Sequence, residues 1–522
     1  MIMQRRSRSP LERFGVTILV AAALGGCNVG PDFAPPDPQL PSMSFFGKPE
    51  PRSPEPAFAP SLDAKWWRQF KDPTLSALVE RASAANLDVR AATERLWQSR
   101  AQRNAAAAAQ LPNVNASTQY TRELLSHNGI LSLGAAFNNG VPPNVPPLSI
   151  WQTGFDASWE LDLWGHVRRQ VEAAEAQVES LEYQRRDTLV ATIAELTRDY
   201  AELRGVQAQI VITKANLASA EEIAHWTKSR ADRGVATYLD VENAAAQVES
   251  VRAQLPALAS QESAYINAIG LLVDEPPQAL RGELSRRGPQ LFAPPRAPLG
   301  VASDLARRRP DIRRAEAELH AATANIGVAI AEFYPTFKLN GSVDLNALDA
   351  KKLFRASSLQ YQFGPTVSVP IFDGARLKSQ LQLRDAQAGE AAINYHKTVL
   401  SAWTEVVDTL VAFRAEQARY QRLKGQAMHQ RAALSLARSR YNSGVSDFIN
   451  VLDAQRQALQ ADLQEAQSRT ALATDFVKLY KALGGGWEDA FPDVGDGAPS
   501  APVHNLAPPI AAVLDGARDG LR

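Results

Sequence analysis

Two stretches, RADRGVATYLDVENAAAQ at residues 230–247 and RYNSGVSDFINVLDAQRQ at residues 440–457, decide the fold of this chain. They align without a gap at an offset of 210, with Gly234 matching Gly444. Each reads as the end of one helix, a glycine-bearing turn, and the start of the next helix. Working outward, DVRAATERLWQSRAQRNAAAAAQLPNV (88–114) matches DIRRAEAELHAATANIGVAIAEFYPTF (311–337) at an offset of 223. The drop from 223 to 210 places a 13-residue excess in the first copy between Pro112 and Gly165, as a longer loop where Gly, Asn and Pro cluster at 138–147. The chain is therefore one duplicated unit, and each copy reads helix, strand, loop, strand, long helix, tip, helix.

Heptads set the helical packing. Leu189, Leu196, Leu203, Ile210 and Leu217 recur every seven residues, with Ile193 and Tyr200 between them; Val399, Val406, Phe413, Tyr420, Ala427 and Leu434 do the same in the second copy, with Trp403 and Leu410. A repeat kept this long specifies coiled-coil packing. Gln207, Lys214, Gln417 and Lys424 interrupt the second stripe and predict a face turned partly to water. Long helices are expected at 167–231 and 376–442, each about 100 Å long. Shorter ones fall at 87–109, 237–270, 304–333 and 447–483, and residues 63–85 and 271–303 are left for a mixed equatorial belt.

Four segments alternate with period two, near 113–121, 151–161, 336–345 and 360–371. One face collects Trp151, Phe155, Trp159, Phe337, Leu339, Val343, Tyr361, Phe363 and Val367, while Gln152, Asp156, Lys338, Asn340 and Ser368 lie on the other. Soluble sandwich strands alternate in the same way. Segments near ten residues with aromatics toward their ends favour transmembrane strands. Four strands cannot close a barrel, so copies of the chain must share one; the arithmetic permits a dimer of eight strands or a trimer of twelve.

The 522 residues carry 56 basic and 56 acidic side chains and one cysteine. Zero net charge gives no reason to expect a nucleic-acid partner. A lone cysteine excludes an internal disulfide and a cysteine-rich zinc site. Arg5, Arg6, Arg8 and Arg13, the apolar run Val16–Leu24 and two glycines form a secretory signal over residues 1–26, without which the net charge is −3. Because Cys27 follows directly on Leu24-Gly25-Gly26, this segment resembles a bacterial lipoprotein lipobox. That resemblance implies cleavage before Cys27, an S-diacylglycerol and an N-acyl chain on it, and, with Asn28 next, sorting to the outer membrane. Residues 27–62, with ten prolines after Cys27, read as an extended lipidated tether that holds the lipid far from the folded body, and 488–522 as a loose tail.

The motifs CNVGPDF (27–33), WW (66–67), DPTLSALVERA (72–82), WELDLWG (159–165), ARRRPDIRRAEAEL (306–319) and SVPIFDGAR (368–376) closely resemble the outer-membrane factor family of tripartite efflux pumps, the TolC-like proteins, and within it the NodT-type lipoproteins. The resemblance spans about residues 27–487. It implies a mainly α fold with transmembrane β: a homotrimer whose twelve-stranded barrel continues into a twelve-helix periplasmic α-barrel, fed by a periplasmic adaptor and an inner-membrane RND-type pump. It implies a passive gated duct for drugs or other small molecules, with no catalytic residues, no metal and no cofactor beyond the lipid on Cys27.

The resemblance also carries the gate. The tips around Gly234 and Gly444 constrict the tunnel, with an acidic ring from Asp453, one helical turn beyond Ile449. The family's other acidic tip position is Asn450 here, and Asp240 stands at the matching place of the first copy. Members that lock the tips tie Tyr and Arg of the second tip to an Asp of the first; Tyr441 and Asp240 are present, but Ser446 replaces the Arg. This departure leaves a lock of hydrogen bonds and apolar contact. A competing reading gives Asp453 only a helix-start role.

No G-x-S-x-G, Walker A, H-E-x-x-H or dinucleotide fingerprint occurs, and the seven histidines lie apart. The run Arg307–Arg309 reads as a solvated helix start. An adaptor-like envelope scaffold is the alternative class and an enzyme a more distant one; four barrel-like strands and duplication of the whole unit argue against both.

Overall fold

The structure is a computed structural model that describes residues 28–37, 64–126, 146–286, 288–294 and 308–487. The signal, Cys27, most of the tether, residues 138–145 and the tail lie outside the described residues. The elements run α1 (Pro73–Ala85), α2 (Leu87–Ala108), β1 (Asn113–Glu123), β2 (Leu148–Leu161), α3 (His166–Ala231), α4 (Tyr238–Arg252), α5 (Gln254–Leu272), α6 (Pro277–Leu284), α7 (Pro310–Ala331), β3 (Thr336–Ala347), β4 (Leu359–Ser368), α8 (Arg376–Asn442) and α9 (Phe448–Ala482). The described residues divide into two compact units, one within Met1–Pro35, Gln98–Glu179 and Ala317–Ile393, the other within Pro36–Trp97, Ser180–Glu316 and Asn394–Arg522.

The first unit holds the sheet, antiparallel in the order β1-β2-β3-β4. Its register sets Tyr120 against Trp151, Phe155 against Val343, Val343 against Tyr361, and Leu339 against both Trp159 and Pro365. All the apolar positions thus share one face. Much of that face is open: Phe155 is 62% exposed, Tyr361 71% and Phe363 78%, while at its end the Trp159 indole donates to the Gln110 carbonyl at 3.0 Å. On the opposite face polar side chains bond across strands, Asn115 to Asp156 (3.1 Å), Ser158 to Asn340 (2.9 Å) and Asn340 to Thr366 (3.0 Å). Among the described residues β1 and β4 each pair on one side only, which leaves two open edges.

The second unit has a conventional core. Leu189, Ile193, Leu196, Tyr200 and Leu203 of α3, Val406, Leu410 and Phe413 of α8, and Phe476, Leu479 and Tyr480 of α9 bury together with Trp66, Trp67, Leu75, Leu78, Leu280 and Leu284. The residues assigned to the belt therefore share this core. Trp66 stacks on Tyr480 at 5.2 Å, and Phe70 meets Phe476 edge-on at 5.4 Å. Each such side chain contributes about 1.5–3 kcal/mol of burial.

Several sequence expectations meet a different structure. The helix read at 237–270 is two helices, α4 and α5, because Pro256 lacks an N–H and its ring crowds the Arg252 carbonyl, where α4 ends. Of the helix read at 304–333, the start at 304 lies outside the described residues; the helix described runs Pro310–Ala331, with Pro310 disfavouring helical geometry at Arg309. The strand read to 371 stops at Ser368, two residues before Pro370, which cannot donate to the ladder. Arg309 is no solvated helix start: it is buried, donates to the Ala482 carbonyl at 2.6 Å, and pairs with Asp311 and Glu405 at 2.8 Å each. Gln207 is likewise buried and bonded to Glu262 and to the Leu284 carbonyl. The heptad seam also drifts. Leu217 and Leu434 are only half-buried while Thr213, Ala220 and Thr227 take the buried places, as expected when a helix of 3.6 residues per turn runs against a repeat of 3.5.

Candidate gate at the helical tips

The two tips lie in the second unit and close in the same way. Gly234 (φ 75°) donates to the Ala231 carbonyl at 2.8 Å and Val235 to that of Arg230 at 2.9 Å; Gly444 (φ 72°) and Val445 repeat this with Tyr441 and Arg440 at 3.0 Å each. These are Schellman ends, which satisfy orphan carbonyls of α3 and α8 by placing one residue in the left-handed region. A Cβ at either glycine would meet nothing within 4 Å, so backbone conformation, not space, selects glycine.

The helices that leave the tips start differently. Thr237 caps α4: its hydroxyl accepts from the Asp240 N–H at 3.2 Å, and the Asp240 carboxylate accepts from the Thr237 N–H and hydroxyl at 3.1 and 2.7 Å. Asp240 is thus engaged by its own helix start in a capping box. Asp447 opens α9 without a side-chain cap bond, and Asn450 reaches back to the Ser446 hydroxyl at 3.1 Å.

Between the hairpins, the Arg230 guanidinium lies 4.5 Å from the centroid of the Tyr441 ring, and its Nη1 donates to the Tyr441 carbonyl at 3.5 Å. Tyr441 packs on Phe448 at 5.4 Å, within a cluster of Ile223, Ala244, Phe448, Val451 and Leu452 drawn from α3, α4 and α9. Tyr441 is therefore held by a cation and apolar contact, and among the described residues no hydrogen bond joins it to Asp240. Arg230 lies outside the motif pattern. Its signal in sequence was only its place four residues before Gly234.

Ile449 and Asp453 are both exposed on one side of α9, whose opposite side buries Phe448, Val451, Leu452 and Gln455. Asp453 is the sixth residue of α9, beyond the first turn in which the helix dipole rewards an acid. Its carboxylate is 3.8 Å from Arg456, whose Nε donates to Gln247 of the other hairpin at 3.0 Å. Sequence reasoning missed Arg456 and Gln247: an i,i+3 ion pair on an exposed helix is common, and nothing in sequence marks Gln247 as its support. The tips also expose Val235, Tyr238, Leu239 and Val445.

A sheet with one bare apolar face and two open edges, on the same chain as paired long hairpins closed by matched tips, defines an envelope channel subunit. The profile of the family described as outer membrane efflux protein matches residues 78–270 and 301–485, and the chain belongs to that family. It is 31% identical over 464 residues to Nodulation protein T of Rhizobium leguminosarum bv. viciae, covering 89% of this chain and 92% of that one. It is 32% identical over 484 residues to Outer membrane protein OprJ of Pseudomonas aeruginosa, covering 91% and 96%. Among solved structures, the outer-membrane channel OprN superposes with a TM-score of 0.79 at 32% identity, over 88% of this chain and all of that one. The open state of the Neisseria gonorrhoeae MtrE channel gives 0.74 at 26% identity, over 88% and 99%. The protein is an outer-membrane efflux channel that extends into the periplasm.

Proposed function

We propose that three copies of this chain form the exit duct of a tripartite system, in which a periplasmic adaptor and an inner-membrane RND-type pump deliver drugs or other small molecules to the tips. The sheet carries this reading. Its edges β1 and β4 are complementary in length, four strands per copy close as twelve, and the bare face of Phe155, Tyr361 and Phe363 is of the kind that meets lipid. The solute moves passively and the pump supplies the energy. This chain does no chemistry; no covalent step is needed for a solute to pass.

In the resting duct Asp453, backed by Ile449, forms the constriction, and Arg230 with Tyr441 holds the two hairpins together. Arg456 offsets part of the Asp453 charge, so the ring disfavours anions only modestly. Cys27 carries the acyl chains. The test is purification in detergent: heat-resistant trimers that insert conducting pores in planar bilayers support the duct, and monomers that never conduct refute it.

A further inference from the structure

The tether begins as a seated segment. The Val29 N–H donates to the Trp164 carbonyl at 3.1 Å, where β2 turns into α3. The Arg169 guanidinium, 2% exposed, donates to the carbonyls of Val29 (3.3 Å) and Gly30 (3.5 Å) and to the Asp32 carboxylate (2.7 Å), while Glu172 holds it from behind at 2.7 Å. Glu172 also meets His320 at 3.1 Å, and Phe33 stacks on the His320 ring at 4.4 Å with 15° between planes.

Glycines make room for this. A Cβ on Gly30 (φ 93°) would lie 2.6 Å from the Gly327 Cα, one on Gly327 would strike the Arg169 side chain at 2.9 Å, and one on Gly165 (φ 84°) would strike Asn28. Three close approaches and a buried, fully engaged guanidinium describe a built socket. Its walls come from both copies of the duplicated unit: Trp164, Gly165 and Arg169 from the first, His320 and Gly327 from the second. For residues 28–33 a seated segment stands where the proline content predicted free tether, and residues 38–62 of that tether lie outside the described residues.

Its position gives it a purpose. β1 starts, β2 ends, β3 starts and β4 ends at one rim of the sheet, since Asn113 pairs with Ser158, Leu161 with Phe337 and Thr336 with Ser368. Gly165, under Asn28, follows β2 by four residues. The chain around this rim exposes Phe333, Tyr334, Ile371 (91%) and Phe372 (93%), apolar and aromatic groups suited to a membrane interface.

We infer that Arg169 is the positioning residue of the lipid anchor: by seating Asn28–Phe33 it delivers acyl chains on residue 27 to the periplasmic rim of the sheet, in the leaflet that the bare apolar face enters. The inference rests on acylation of Cys27. A spin label on Val29→Cys, in the full chain assembled in outer-membrane vesicles, reads the seating, with Cys27 blocked by its lipid. Maleimide labelling of the same cysteine reads its accessibility, and palmitate incorporation with Cys27→Ala as blank reads the acylation.

The expected result is an immobilised label at interfacial depth in the parent. Asp32→Asn with Phe33→Ala, two changes on the segment's own surface side, should free it and speed maleimide labelling on the order of tenfold, with trimer and β content unchanged. Arg169→Met should act the same way, and Arg169→Lys should fall between. Equal mobility and equal labelling in parent and variants would overturn the role of Arg169. Absent palmitate in the parent would instead overturn the acylation, and the seating would then be read from the Val29→Cys label in the Cys27→Ala background, where no second thiol competes.

Discussion

Arg230 stands at the end of the first long helix and Tyr441 at the end of the second, and the guanidinium of one lies 4.5 Å over the ring of the other while donating to its backbone carbonyl. The pair fastens the two hairpins where a family-type lock would have used an Arg at the position of Ser446. In this chain the cation belongs to the first hairpin and the ring to the second. A cation–π contact of this kind is worth about 1 kcal/mol at an exposed site. Arg230→Met should therefore raise the open-to-closed ratio of single pores by about fivefold, from the same magnitude; Arg230→Lys should raise it less. Unchanged gating in Arg230→Met would remove the clasp from the account.

Asp240 separates cap from lock. Its carboxylate serves Thr237 at the start of α4, so Asp240→Ala should fray the first turn of that helix and cost about 1 kcal/mol, as lost N-terminal capping does. Amide exchange over residues 238–241 should accelerate while pore gating stays near that of the parent. Gating that changes as much as in Arg230→Met would return Asp240 to the lock.

The tip glycines are fixed by backbone geometry. Gly234→Ala and Gly444→Ala should each cost on the order of 1 kcal/mol, because an L-residue is strained at positive φ and no neighbour obstructs the new methyl. Thermal unfolding of the two single variants should show matched losses, as their turns are built alike. A neutral Gly444→Ala would mean that the turn relaxes.

Burial pushes the carboxyls of Asp187, Asp199 and Glu202 in the second unit above the usual range. Their folded forms hold protons more tightly than the unfolded chain does. The stabilising effect is fully present below the unfolded pKa and is lost as pH rises through the folded one. Asp187→Asn should therefore raise the melting temperature at neutral pH and flatten its fall between mildly acid and neutral pH. A lower melting temperature for Asp187→Asn at neutral pH would contradict this sign.

Much of the architecture is readable in sequence because it is periodic. Seven-residue spacing from Leu189 to Ile210 and two-residue spacing from Trp151 to Leu161 are local patterns, and duplication shows each one twice. The break at Pro256 was also legible, since a proline within a helical pattern marks a boundary. The Arg230–Tyr441 clasp was not, because it joins residues far apart in sequence and a cation over a ring leaves no spacing signature. Arg169 was hidden for a different reason. The glycines of CNVGPDF and WELDLWG announce close approaches, but not to what, and proline content drew all of residues 28–62 as extended linker, the seated 28–33 included. Asp453 and Ile449 fall on one exposed side of α9 as their spacing required, whereas the Arg456–Gln247 support depends on the packing of two hairpins.

The proposed Asp453 constriction is tested by changing charge. Arg456→Ala leaves the carboxylate unopposed and should shift pore selectivity toward cations, while Asp453→Ala should shift it toward anions. Opposite shifts locate both groups at the constriction; shifts of the same sign, or none, place the constriction elsewhere.

The most direct measurement is single-channel recording of purified trimers in planar bilayers, comparing the parent with the Arg230→Met/Asp453→Ala double variant. The account predicts parent pores that stay mostly closed at low conductance, and double-variant pores that dwell open with raised conductance and a loss of cation preference. Parent and double variant with the same conductance, selectivity and open time would contradict a gate at these tips, and the absence of any pore from well-folded trimers would contradict the duct itself.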